Sequence, residues 1–163
     1  MRLHPLSPCR KLIAFLCLGI VLCTLPGCLT APPAPQLNFS EPGWSWRRGQ
    51  AVWTFKKDSA EMAGDLEIAT NTDGRTFLQF TKSPLPIVSA WIFPDRWRLQ
   101  FGPQGRAIGG KGTPAPRWGW AHLPSVASDA TPPVGWKWEK QSGGRWRFSN
   151  AGTGEVMEGW LDP

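Results

Sequence analysis

Few side chains in this 163-residue sequence are of kinds that make or break bonds. All four cysteines, Cys9, Cys17, Cys23 and Cys28, fall within the first 28 residues, so nothing after Cys28 can form a disulfide. Beyond that point His122 is the single histidine. A zinc or copper site needs several nitrogen or sulfur ligands, and this set does not supply them. A serine nucleophile would need His122 as its base, yet none of the nine serines after Cys28 stands in a Gly-x-Ser-x-Gly elbow. His122, close to Trp120 and Leu123, reads as a packed or capping side chain. Gly105-Arg-Ala-Ile-Gly-Gly-Lys111-Gly112 comes within one residue of a phosphate-binding loop. It lacks the hydroxyl that would hold magnesium, and Thr113-Pro114 follows where such a loop opens a helix, so the run reads as a hairpin connection. No pair of carboxylates is marked for glycoside cleavage. The expectation is a protein that is not an enzyme and uses no metal or cofactor.

The chemistry that remains belongs to Cys28, and it depends on the segment in front of it. Arg2, Arg10 and Lys11 precede an uncharged apolar run from Leu12 to Leu25, which closes on Leu25-Pro-Gly-Cys28. A basic start, an apolar stretch shorter than a bilayer span and a small-residue exit describe a secretory signal. Leu-x-Gly-Cys at its end resembles the lipobox of bacterial lipoproteins. The resemblance implies that residues 1–27 are removed and that Cys28 carries the lipid that anchors the chain in a membrane. Leu29, which is not Asp, implies by the same resemblance export to the periplasmic face of the outer membrane. Residues 28–43 then form the lipidated Cys and a tether. Its Pro-rich part, Leu29 to Gln36, favours extended polyproline at ~3.1 Å per residue, a reach of about 25 Å.

Residues 44–163 read as one domain. Once Arg2, Arg10 and Lys11 leave with the signal, 15 basic side chains face 12 acidic ones. That mild excess does not call for nucleic acid. From Trp44 the apolar residues recur with a period of two, and turn residues interrupt them every eight to twelve positions, the pattern of an all-β fold. Ala51, Trp53 and Phe55 alternate with polar or smaller neighbours. Lys56 to Gly64 reads as a loop or a helical turn before a strand at Asp65–Ala69. Asn71-Thr-Asp-Gly74 predicts a hairpin turn into Arg75–Lys82. Ile87 to Phe93 is apolar on both faces and so is expected to be covered on two sides. Trp97, Leu99 and Phe101 alternate with Arg96, Arg98 and Gln100. A short strand is expected around Arg106–Ile108, Trp118, Trp120 and His122 fall on one face of the next segment, and Ser125 to Pro133 reads as a loop. Hairpins through Trp136–Lys140, Arg145–Phe148 and Glu155–Leu161 finish the chain. The predicted fold is mainly β, a single antiparallel and strongly curved sheet or half-open β-barrel with few or short helices.

All eleven Trp follow Cys28, with seven Phe and no Tyr, so this domain presents an unusually large area of rigid apolar surface. A curved sheet facing Leu78, Phe80, Ile87, Trp91, Trp97, Leu99 and Phe101 inward would enclose an apolar core or, if incompletely filled, a cavity for acyl chains. Arg96, Arg98, Lys137, Arg145 and Arg147 each lie on the strand face opposite a Trp. If their strands adjoin, they form one basic face suited to anionic headgroups, lipopolysaccharide phosphates or acidic glycan.

Gly49-Gln-Ala-Val-Trp53, Ala63-Gly-Asp-Leu-Glu-Ile68, Phe77-Leu-Gln-Phe80 and Ser83-Pro-Leu-Pro-Ile-Val-Ser-Ala90, on a chain with a lipobox, resemble the outer-membrane lipoprotein acceptor family of the Lol pathway. The likeness covers about Gly49 to Phe101. It implies a half-open barrel lined with apolar residues that holds acyl chains, with membrane lipid through Cys28 and acyl chains or lipoproteins as partners. The sequence leaves a second reading open: a β-sandwich envelope module with a filled core that binds glycan or another envelope protein through exposed Trp and the Arg/Lys face. Volume separates them. The first needs an open apolar cavity, the second a row of exposed indoles.

Overall fold

Among the described residues, alternation of apolar and polar side chains, punctuated by Gly, Asn and Pro, builds nine strands that join in a single antiparallel sheet. The computed structural model describes residues 34–162, and Cys28 with its signal and the first part of the tether lie outside them. The strands are β1 (Trp44–Thr54), β2 (Glu61–Asn71), β3 (Thr76–Lys82), β4 (Leu85–Ile92), β5 (Arg96–Phe101), β6 (Ala107–Lys111), β7 (Trp136–Lys140), β8 (Arg145–Asn150) and β9 (Glu155–Leu161), and one helix, α1 (Gly119–Ala127), separates β6 from β7. Their order across the sheet is β6-β5-β4-β3-β2-β1-β9-β8-β7. The sheet curls without closing, as the half-open barrel reading expects.

That order has a consequence for the helix. Strands β1 to β6 step outward by hairpins to one edge, yet β7 forms the opposite edge, and the return through β8 and β9 ends beside β1. The segment between β6 and β7 therefore has to cross from one edge to the other. It does so with α1 packed against β3, β4 and β5. Trp120, Leu123 and Val126 of α1 join Leu66, Leu78, Phe80, Val88 and Leu99 of the sheet in the main core. Arg47 of β1 donates to the Ala127 carbonyl at 2.9 Å, tying down the end of the helix where carbonyls lack partners.

The turn at Asn71 forms as its residues dictate. The Asn71 side-chain oxygen accepts from the Asp73 amide at 3.1 Å, the Asn71 amide donates to the Arg75 carbonyl at 2.8 Å, and Gly74 takes the left-handed conformation at φ +88°. β2 and β3 pair across it from Thr70–Thr76 to Asp65–Thr81.

Two segments differ from the sequence reading. β2 begins at Glu61, not at Asp65, so Ala63 and Gly64 belong to a strand. Gly64 hides the alternation because Phe80 occupies the space its side chain would take: a Cβ there would lie 2.9 Å from the Phe80 ring and 2.4 Å from the Thr81 carbonyl oxygen. The second difference is α1 itself, which forms where an alternating segment and a loop are expected. Trp120, Ala121, Leu123, Pro124 and Val126 are all buried, and His122 and Ser125 are the only polar side chains of the helix, a strip too narrow to reveal a helical period. Pro124 adds to the disguise, since it sits inside the helix where a proline usually marks an end.

Candidate functional site

The inner face of the sheet is set by register. Leu78 pairs with Ala90 and Ala90 with Leu99, while Phe80 pairs with Val88. Leu78, Phe80 and Leu99 are entirely buried. The Trp120 ring of α1 stacks on Phe80 at 5.1 Å between centroids, so these three predicted cavity residues line a filled core. Trp97 and Phe101 share the face of Leu99 and pack, half-buried, at its margin, with the Trp97 ring 6.5 Å from Trp118. Ile87 is half-buried against the same core, beside the irregularity in pairing at Phe80/Thr81. Trp91 is separated from the other six. It pairs with Phe77, its ring lies 5.6 Å from that of Phe77, and both point away from the core that their neighbours Ala90 and Leu78 fill. Ile87 to Phe93 is apolar on both faces because each face has aromatic neighbours to meet.

Where the helix leaves room, at the end of the barrel between β1, β5, β9 and the start of α1, a cavity of about 280 Å³ opens. Trp53, Phe55, Phe101, Trp118 and Trp120 wall it, and Leu99 reaches its floor. Trp53 stands nearly perpendicular to two of its neighbours, with centroids 5.4 Å from Trp120 at 85° and 5.8 Å from Phe55 at 89°. Its volume is at the low end of the ~300–1,000 Å³ usual for small-molecule sites, room for part of a ligand.

Glu155, the first residue of β9, also lines this cavity. It accepts a hydrogen bond from the Trp53 indole at 2.9 Å. Burial pushes its carboxyl up to about 7 from an ordinary 4.5, against the smaller opposing pull of the Trp53 hydrogen bond. Sequence reasoning missed Glu155. The available signal was register: Glu155, Met157 and Leu161 share one face of β9, and the latter two are buried, so an acid in phase with them faces inward.

The basic residues do not form one surface. β5 carries Arg96 and Arg98 and β8 carries Arg145 and Arg147, with β4, β3, β2, β1 and β9 between them. Arg147 pairs with Glu158, Lys137 with Glu139 at 2.6 Å and Arg96 with Asp95 at 3.6 Å. β7 and β8 adjoin, but five strands separate β5 from β8, so the single basic face expected from all five residues is not assembled. His122 is half-buried on α1, with its Nε2 3.3 Å from the Ala115 carbonyl oxygen. Gly105 to Gly112 lies in the hairpin of β5 and β6, in which the Phe101 amide donates to the Arg106 carbonyl.

No family model matches the sequence, and no curated protein matches it.

A second aromatic group lies on the outer face. Phe39, from the segment before β1, sits 5.0 Å from Trp44, 5.0 Å from Trp46 and 5.5 Å from Phe77. The Arg75 guanidinium lies 5.5 Å over Trp44 and that of Arg48 5.6 Å over Trp46. Arg75 also pairs with Glu41 at 2.5 Å and Asp73 at 2.6 Å, so residues just ahead of β1 are fastened to the β2–β3 turn.

Proposed function

We propose that this chain is a non-enzymatic lipoprotein of the bacterial outer membrane, anchored through Cys28 on the periplasmic side, whose domain binds an acyl chain or a lipidated partner at the open end of its half-barrel. The observation that supports this most is the cavity walled by Trp53, Phe55, Phe101, Trp118 and Trp120. Its walls are aromatic and it borders a core already complete without a ligand. Leu78, Phe80 and Leu99 serve as packed support beneath the ligand, and Phe101 and Trp118 as its contacts.

The test is native mass spectrometry of residues 30–163, produced in a bacterial periplasm without the anchor and purified without detergent. The expected result is added mass matching a phospholipid or fatty acid, with affinity reduced about tenfold, or ~1.4 kcal/mol, in Phe101→Ala. A clean apo mass, with no uptake from phospholipid vesicles, would reject the lipid-handling reading.

The outer face supports a second reading. Phe39 and Trp46 are 37% and 38% exposed beside Arg48 and Arg75, an arrangement suited to binding glycan or another envelope protein. Loss of such binding in Trp46→Ala, with Phe101→Ala unaffected, would favour it.

A further inference from the structure

An acyl chain alone gives no reason for Glu155. A carboxylate withdrawn from water is costly unless something pairs with it. Glu155 receives the Trp53 indole hydrogen and takes part in no ion pair among the described residues. Trp120 is almost wholly buried between Phe80 and Trp53, so the indole open to the cavity beside the carboxylate is that of Trp53, with the exposed Phe55 ring set at right angles to it. Aromatic walls close to an acid are the environment that holds an ammonium group, through the negative faces of the rings and the charge of the carboxylate.

The same cavity carries the opposite sign at its rim. Lys56 and Arg117 both line it and both are exposed, the Arg117 guanidinium lying 4.9 Å over the Trp118 ring. A bare cation would be repelled by these two side chains on entry. A ligand with a phosphate beside its ammonium would satisfy both ends.

We propose that the cavity takes a zwitterionic phosphoammonium group, its ammonium against Glu155 beside Trp53 and Phe55 and its phosphate at Lys56 and Arg117. This rests on the preceding reading for the location of the ligand and names the polar end of that ligand. A phospholipid headgroup and a soluble phosphodiester share this chemistry.

The probes are choline, phosphocholine and 3,3-dimethylbutan-1-ol, the uncharged isostere of choline, titrated into the intact chain in an uncharged maltoside detergent. Line broadening of their nine-proton methyl signals reports binding. Phosphocholine is expected to bind tighter than choline, and choline at least tenfold tighter than the isostere. Glu155→Gln, which keeps an acceptor for Trp53, should weaken choline at least tenfold, and Lys56→Ala should bring phosphocholine down toward choline. Equal binding of choline and its isostere, or choline unaffected by Glu155→Gln, would overturn the proposal while leaving an apolar site intact. No binding by any of the three would overturn it too, and vesicle uptake in the mass measurement would then decide the acyl-chain reading separately. Lys56→Ala without effect on phosphocholine would overturn the phosphate assignment. Short-chain diheptanoylphosphatidylcholine separates the sources: tighter binding than phosphocholine supports the proposal with a lipid ligand, and equal binding supports it with a soluble one.

Discussion

On the inner face of the sheet, Trp53, Phe80 and Trp120 meet within 6.5 Å of one another, and Phe80 and Trp120 are almost wholly out of water. On the outer face, Phe39, Trp44, Trp46 and Phe77 are as close together, yet Phe39 and Trp46 remain more than a third exposed. The two groups have similar residue types and similar ring spacings. What differs is the cover. A helix laid across the concave side buries the inner rings, whereas among the described residues the outer rings meet Phe39, Trp91 and two guanidinium groups, with no helix over them. Aromatic clusters of similar composition thus divide into a core and a surface according to which side the crossover segment takes, and the inner group leaves a cavity at the end the helix does not fill.

Truncation should expose this difference most. Trp120→Ala removes the ring stacked on Phe80 and facing Trp53, and is expected to destabilise the domain by ~3–5 kcal/mol. Urea denaturation followed by far-UV circular dichroism measures it. A loss under ~1 kcal/mol would mean that α1 is a lid resting on the core, not part of it.

The second effect depends on pH. Because the Glu155 carboxyl titrates near 7 in the folded chain and near 4.5 when unfolded, the unfolded state releases its proton first as pH rises. The stabilising effect of the protonated acid is complete below about 4.5, is lost progressively between 4.5 and 7, and changes no further above that. The loss should be on the order of 2–3 kcal/mol. Glu155→Gln should flatten this part of the stability profile, as read from melts at pH 4.5 and 7.5. An unchanged slope would place the carboxylate in water and remove the buried acid from the site. Next in size is Gly64→Ala, which pushes a methyl against the Phe80 ring and the Thr81 carbonyl and should cost ~1–3 kcal/mol by the same denaturation assay.

The curved antiparallel sheet was legible because its signals are local. Trp97, Leu99 and Phe101 alternate with Arg96, Arg98 and Gln100 on one strand, and Asn71 to Gly74 carries its own turn chemistry. The cavity was legible only in part. Leu99 and Phe101 reach it, but whether Leu78 and Phe80 are bare depends on α1, and α1 escapes a periodic reading because nearly all its faces are buried. Trp91 was misplaced for a related reason: on a strand apolar on both sides, the inward face follows from register with Phe77 and Arg98, which its own sequence does not state. The separation of Arg96 and Arg98 from Arg145 and Arg147 is likewise a matter of strand order, set by the crossover through α1 that lies between them in the chain.

The smallest effect is expected on the outer face, where it distinguishes a fastening from a core. Phe39 touches three rings at once, and each such contact contributes ~0.5–1.5 kcal/mol beyond area when well packed, less where water reaches the rings as it does here. Phe39→Ala should therefore lower global stability by only ~1 kcal/mol, while freeing the segment ahead of β1 that Phe39 and the Arg75–Glu41 pair hold down. Limited proteolysis should show faster cleavage between residues 34 and 43 with the sheet still protected. If instead the whole domain melts with the same loss as Trp120→Ala, the outer cluster is a second core, and the contrast between the two faces fails.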